Sequence, residues 1–184
     1  MKVCLIYPGK YENTAEFVPL GLVYLATVLK QAGHEVRIVD LRVHKLIVDD
    51  IREYDVYCLS VMTSQVKEAI EISKTMRFLH TKRIIWGGLH PTLFSEQVLK
   101  ADYVDAVVLG EAESVICDAV TGTDKIYRGK MLNFSELPMP DYSLLEMDKY
   151  SILYKNYQFK GIPQFNIESD MLKGNTDTPK EVTL

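Results

Sequence analysis

Ser60-Val61-Met62-Thr63-Ser64-Gln65, Trp86-Gly87-Gly88-Leu89-His90-Pro91-Thr92 and Leu109-Gly110-Glu111-Ala112-Glu113 are three stretches where small, polar and titratable residues follow an apolar run. In the first, hydroxyl side chains lead into a segment of helical period whose opening amides have no partner within the helix, so they can cap that helix or bind an anion. The glycine pair of the second removes two Cβ atoms, and the backbone there either turns sharply or lets another group approach closely. His90 can act as a ligand, as a base, or as a hydrogen-bonded loop histidine ahead of Pro91. Glu111 in the third stretch serves either a site or the positive end of a following helix, where a carboxylate contributes about 0.3–1 kcal/mol. Singly, each has a structural explanation: an N-cap from Thr63 or Ser64, a Gly-Gly turn, a favourable helix charge. Together they point to a ligand site only if one sheet edge collects them.

The sequence supplies such a sheet. Short, nearly continuous apolar runs at 2–7, 35–40, 56–61, 83–88 and 105–110 read as strands covered on both faces. Between them lie segments of helical period, the mark of repeated βαβ units. Leu22, Leu25, Ala26, Val28 and Leu29 form one helix face that Gly33 can terminate. A second helix spans about Ser64 to His80, with Val66, Ala69, Ile70, Ser73 and Met76 on one stripe; shorter ones are expected near Leu46–Glu53, Thr92–Lys100 and Glu111–Val120. The expected fold is α/β, a flavodoxin-like (Rossmann-like) doubly wound sheet of five parallel strands in order 2-1-3-4-5. Ligands of such sheets bind at the carboxyl ends of the strands, here the loops after Tyr7, Val61, Gly88 and Gly110. Beyond Val120, residues 125–132 read as a short edge strand or hairpin, 136–150 as a proline-containing linker, and 151–184 as a polar tail without period. The expected domain is therefore 1–135.

Composition narrows the function classes. The 184 residues carry 21 Lys and Arg against 25 Asp and Glu, a net charge of −4, with no basic run to meet a row of phosphates, which excludes a nucleic-acid partner. Cys4, Cys58 and Cys117 are too widely spaced for a disulfide framework or a zinc pattern and read as reduced core residues. No apolar run reaches the 18 or so residues of a membrane span, so a cytoplasmic protein is expected. A phosphoryl receiver would need acidic residues after strand 1 and an Asp after strand 3, where Pro8-Gly9 and Met62-Thr63 stand. Tyr7-Pro8-Gly9-Lys10-Tyr11 is likewise a poor phosphate loop for a flavin.

An ordered set of short segments resembles the N-terminal cobalamin-binding domain of B12-dependent radical SAM proteins: Pro19-Leu20-Gly21-Leu22, Ala32-Gly33-His34-Glu35-Val36 with Asp40, Ser60-Val61-Met62-Thr63, Gly87-Gly88-Leu89-His90-Pro91-Thr92, Val104 to Glu113, and Leu137-Pro138-Met139-Pro140-Asp141-Tyr142. The resemblance implies cobalamin (B12) bound base-off, its nucleotide tail beside the sheet and its corrin ring over the strand ends. Gly87 and Gly88 would leave room for the tail, with Ser60, Val61, Met62 and Thr63 along its other side. Backbone amides near Gly110 and Glu111 would face the ring, and Pro8, Leu89 and His90 complete the implied set. The histidine-bearing loop of methionine-synthase-type domains is absent, since no histidine precedes His34. The cobalt is thus expected to be His-off, with no metal ligand from the protein.

Full-length relatives of this kind carry Cys-x-x-x-Cys-x-x-Cys for a [4Fe-4S] cluster, and this chain has no cysteine after Cys117. The implied function is binding, with catalysis from a radical SAM catalytic domain or protein as partner. The chain then reads as a fragment, a truncated product or a stand-alone carrier. The alternative is a flavodoxin-like interaction module that has lost its cofactor.

Overall fold

Valine, isoleucine and leucine dominate the strand runs, and a strand with both faces covered by helices needs apolar residues in both directions. In the computed structural model, which describes residues 1–12, 15, 17–45, 53–79 and 83–150, these runs become β1 (Lys2–Tyr7), β2 (Glu35–Asp40), β3 (Val56–Ser60), β4 (Ile84–Gly87) and β5 (Ala106–Leu109). A sixth strand, β6 (Ile126–Arg128), pairs parallel with β5. The sheet is parallel throughout, in the order β2-β1-β3-β4-β5-β6. The expected five-strand order therefore holds, and the segment read as an edge strand or hairpin extends it by one. The chain divides into two compact units, Met1–Leu153 and Tyr154–Leu184, and everything described belongs to the first. The helix expected at Leu46–Glu53 and the tail at 151–184 lie outside the described residues, apart from Glu53.

Helix α1 (Leu20–Gln31) buries Leu22, Val23, Ala26, Thr27 and Leu29. It stops as expected: Gly33 has φ +84, its N–H donates to the Lys30 carbonyl, and the His34 N–H reaches the Leu29 carbonyl, a Schellman motif. The second periodic segment opens as a 3-10 turn, Thr63–Gln65, and continues as α2 (Val66–Phe78), with Ala69, Ser73 and Met76 buried. Where one helix was expected at Thr92–Lys100 there are two short ones, α3 (Leu89–Leu93) and α4 (Ser95–Val98), because Phe94 leaves the helical region at φ −128, ψ 38. The expected Glu111–Val120 helix is likewise split into a 3-10 turn at Ala112–Ser114 and α5 (Ile116–Thr121).

Two cores result. One face packs Val3, Leu5, Cys58, Ile85 and Val108 against α1 and α5; the other packs Ile6, Leu59, Trp86 and Val107 against α2 and α4. On the second face the buried Trp86 indole donates to the Ser73 hydroxyl at 2.9 Å, which satisfies both polar groups. Cys4 and Cys58 are buried thiols outside any disulfide, and burial pushes the Cys58 thiol up to about 12.

Within the segment 136–150, residues 141–150 make side-chain and backbone contacts with the sheet domain. Asp141 accepts from Lys30 Nζ at 2.7 Å, and its N–H donates to Thr27 Oγ1 at 2.9 Å. Glu146 meets His44 Nε2 at 2.9 Å and Lys149 Nζ at 2.8 Å. The Tyr150 ring is buried, and its hydroxyl donates to Asp40 at 3.2 Å. This strap, 141–150, binds the sheet domain from α1 to the end of β2.

Candidate functional site

The register of the central strands decides what the sheet edge presents. Side chains alternate between faces along each strand, and Ser60 pairs with Gly87. Tyr7, Ser60 and Gly87 end their strands on the α1 side and Val108 is the last β5 residue on that side, so the two smallest lie side by side between larger neighbours. A recess of about 150 Å³ opens there, lined by Tyr7, Ser60, Phe17 and the first turn of α1 from Pro19 to Leu22. A recess of roughly this volume has room for a ring-sized group. Ser60 supplies a hydroxyl that makes no hydrogen bond among the described residues.

The two glycines, expected to act together, do different things. A Cβ on Gly87 would meet nothing nearer than Val108 at 3.8 Å, so this glycine leaves space on the recess face. A Cβ on Gly88 would lie 2.9 Å from the Val61 nitrogen and 3.1 Å from its carbonyl oxygen, and Gly88 has φ +93. The space beside Gly88 is thus already filled by backbone. Its glycine serves the turn that brings the β4 loop against the β3 loop, where Val61 N–H donates to Gly87 O at 2.8 Å and His90 N–H to Val61 O at 3.0 Å.

That turn also sorts the remaining candidates. Val61 is fully buried, and His90, 7% exposed, enters the other face of the sheet in a second cavity of about 50 Å³ with Trp86, Ile70 and Tyr103. Its Nδ1 has no partner, and burial lowers its pKa, which favours neutral imidazole. His90 therefore does not share the recess with Ser60 and Gly87. Met62, Thr63 and Leu89 are exposed at the carboxyl edge. Neither Thr63 nor Ser64 caps the following helix. Gln65 does the local work instead: its Oε1 accepts from Met62 N–H at 2.9 Å, and its Nε2 donates to the carbonyl of buried Pro8 at 2.7 Å. Gly110, at φ +74, donates its N–H to Thr92 Oγ1 at 3.1 Å, so the amide expected to face a ligand already has a partner. Glu111 is exposed and precedes a 3-10 turn, not a helix of useful length.

Tyr7, Phe17 and Gln65 were not singled out as site residues. Tyr7 is the last residue of a strand whose alternation assigns it a face, and that signal could have found it. Among the described residues no group of three or more His, Cys, Asp and Glu side chains could hold a metal ion. None of their helices is long and apolar enough to cross a membrane.

Comparison with known proteins bears on the fold and the family. The chain is 27% identical to an uncharacterized methyltransferase of Pyrococcus horikoshii, across 82% of this chain and 40% of that protein. It is 28% identical to the anaerobic magnesium-protoporphyrin IX monomethyl ester cyclase of Rubrivivax gelatinosus, across 90% of this chain and 36% of that one. The chain thus spans well under half the length of these relatives. Among solved structures, the radical S-adenosylmethionine methyltransferase TsrM of Kitasatospora setae, with cobalamin and a [4Fe-4S] cluster bound, shares the fold at a TM-score of 0.55 and 22% identity, over 65% of this chain and 26% of that one. The family model of the B12 binding domain matches residues 13–120, which take in the recess except for Tyr7, the glycine turn and four of the six strands whole, and with more than half of its length so matched the chain belongs to the B12 binding domain family.

Proposed function

We propose that this chain is a cobalamin-binding module that holds the cofactor base-off and without a protein ligand on cobalt, for use by a radical SAM catalytic domain or protein. The observation that carries the reading is the recess itself, ring-sized, walled by Tyr7, Phe17 and the opening of α1, with Ser60 at its base next to Gly87 in the register, at a switch point of a parallel sheet. Tyr7, Phe17 and Leu20 would hold the nucleotide tail from the α1 side, and Ser60 would offer it one hydroxyl. Pro8, Met62, Thr63, Leu89, Gly110 and Glu111 surround the strand ends and would meet the larger part of the cofactor. When bound, cobalamin supplies a cobalt that carries a methyl group or electrons. The protein's own part is to bind, orient and shield it.

The placement of two histidines supports the His-off reading. His90 lies on the far face of the sheet, and His44 is engaged with Glu146 and the Asp40 carbonyl. The module is proposed to comprise residues 1–150, with the strap as part of it.

Mixing the purified chain with hydroxocobalamin, desalting it and recording the visible spectrum tests the reading. Co-elution with a base-off spectrum is the expected result, and retention of no cobalamin favours a fold that has lost its cofactor. Electron paramagnetic resonance of the Co(II) form should show no nitrogen splitting. Splitting that vanishes in His90→Ala would refute the His-off assignment.

A further inference from the structure

Arg42 stands two residues beyond β2, outside every motif of the sequence, yet its guanidinium is fixed on several sides. Nε and Nη2 reach both carboxylate oxygens of Asp40 at 2.6 to 3.2 Å, and Nη2 also donates to the Phe17 carbonyl at 2.9 Å. The same group lies 4.4 Å from the centre of the Tyr7 ring and 4.5 Å from that of Phe17. Its stem passes Gly9 so closely that a Cβ there would lie 2.7 Å from Arg42 Cγ. Asp40 is fully buried and is held from behind by the Tyr150 hydroxyl at 3.2 Å. Burial works against the Arg42 charge, and the hydrogen bonds and charge of Asp40 outweigh it, so the pKa is held above its ordinary value.

The two rings that Arg42 bridges are both walls of the recess. Phe17 is 55% exposed, so burial alone cannot fix where its ring stands. A cation between two aromatic faces, with a carbonyl bond to one of the same residues, can do so, and a planar guanidinium suits this better than an ammonium.

We propose that Arg42 is a positioning residue of the recess: anchored on Asp40 and Tyr150, it sets the separation of Tyr7 and Phe17 and so pre-organises the wall against which the cofactor tail packs. The proposal rests on the cobalamin reading of the recess. Pre-organised walls favour binding by removing the ordering cost that a mobile wall would impose.

The test uses the full chain, titrated with hydroxocobalamin by absorbance and followed by amide hydrogen exchange across Phe17–Leu22. Arg42→Met should raise Kd about tenfold or more, and so should Asp40→Asn/Arg42→Met, which removes both charges and carries the test if the single variant fails to fold. Exchange across Phe17–Leu22 should quicken in these variants while that of β1 and β3 stays as in the wild type. Lys10→Met, an exposed charge on the neighbouring loop, should bind as the wild type does. In Arg42→Ala, low-millimolar guanidinium should recover part of the lost affinity, which general destabilisation would not allow. Affinity within about twofold of wild type in the folded double variant overturns the proposal, as does a loss of affinity with unchanged exchange at Phe17–Leu22. If the wild-type chain takes up no hydroxocobalamin, the cobalamin reading fails, and exchange alone decides Arg42: faster in the double variant upholds its positioning role, equal exchange refutes it.

Discussion

Two adjacent glycines divide the work of the site between ligand and backbone, and substitution separates them. Gly88→Leu should lower stability, because φ +93 alone costs a side-chain-bearing residue about 1–3 kcal/mol and the Val61 backbone already occupies the Cβ position. Gly87→Leu should leave the apo protein folded while its side chain occupies the open space beside Ser60 on the recess face and cobalamin retention falls. Thermal melts of both apo variants, paired with the desalting assay, check the contrast; equal melting temperatures for the two would show that the turn does not need glycine at 88. The sequence shows a Gly-Gly pair at a strand end but not which of the two faces the open side. That depends on the φ of the second residue and on the approach of Val61 from another strand. The Ser60–Gly87 pairing was legible, since both end central strands one crossover apart. Arg42 was not, because its partners Tyr7, Phe17 and Asp40 come together only through the β1–β2 pairing.

At the scale of elements, the strands were readable from their apolar runs, and α1 and α2 from a 3.6-residue stripe that the buried residues follow. Met76, fully buried on that stripe, should cost about 2–5 kcal/mol when changed to Ala, measured by urea unfolding, whereas an exposed-position cost below 1 kcal/mol would place it outside the core. Ser73→Ala should cost about 1–3 kcal/mol, as the indole N–H of Trp86 is left buried without an acceptor. The break at Phe94 and the docking of the strap were not readable. Pro138 and Pro140 mark 136–150 as a linker by local rules, whereas its partners Thr27, Lys30, Asp40 and His44 lie about a hundred residues earlier. The strap's acidity gives a pH test. Lys30 and then Ser143 hold the Asp141 carboxyl down at about 2, and Lys149 and then His44 do the same for Glu146. Carboxylates depressed in the folded state stabilise it above their unfolded values of 3.8 and 4.5, and that contribution is lost as pH falls toward about 2. Both groups are partly exposed, so salt should weaken the effect. The urea midpoint of Glu146→Gln should lie below that of wild type at pH 6 and converge with it near pH 2; a constant gap would remove Glu146 from the strap's hold.

For the molecule as a whole, the parallel sheet carries two helix-covered cores and places its open edge where the strands end, so the site belongs to no single element. The recess needs the ends of β1 and β3, the opening of α1 and the loop after β2. Its integrity is therefore tied to the order in which these parts assemble. The strap closes long loops, among them Asp40 to Tyr150 and Lys30 to Asp141, 110 and 111 residues apart. Closure of such loops is entropically costly, and both partners on the sheet side must already be in place for it to be rewarded. The strap should then form after the rate-limiting barrier. Tyr150→Ala, which empties a buried aromatic site, should speed unfolding and leave the refolding rate nearly unchanged, a φ-value near zero in stopped-flow chevrons. A slowed refolding limb would instead make the strap part of the nucleus. With the strap late, the chain first builds its sheet and only then locks Asp40, so the last contact to form and the first to let go is the one behind the cofactor wall.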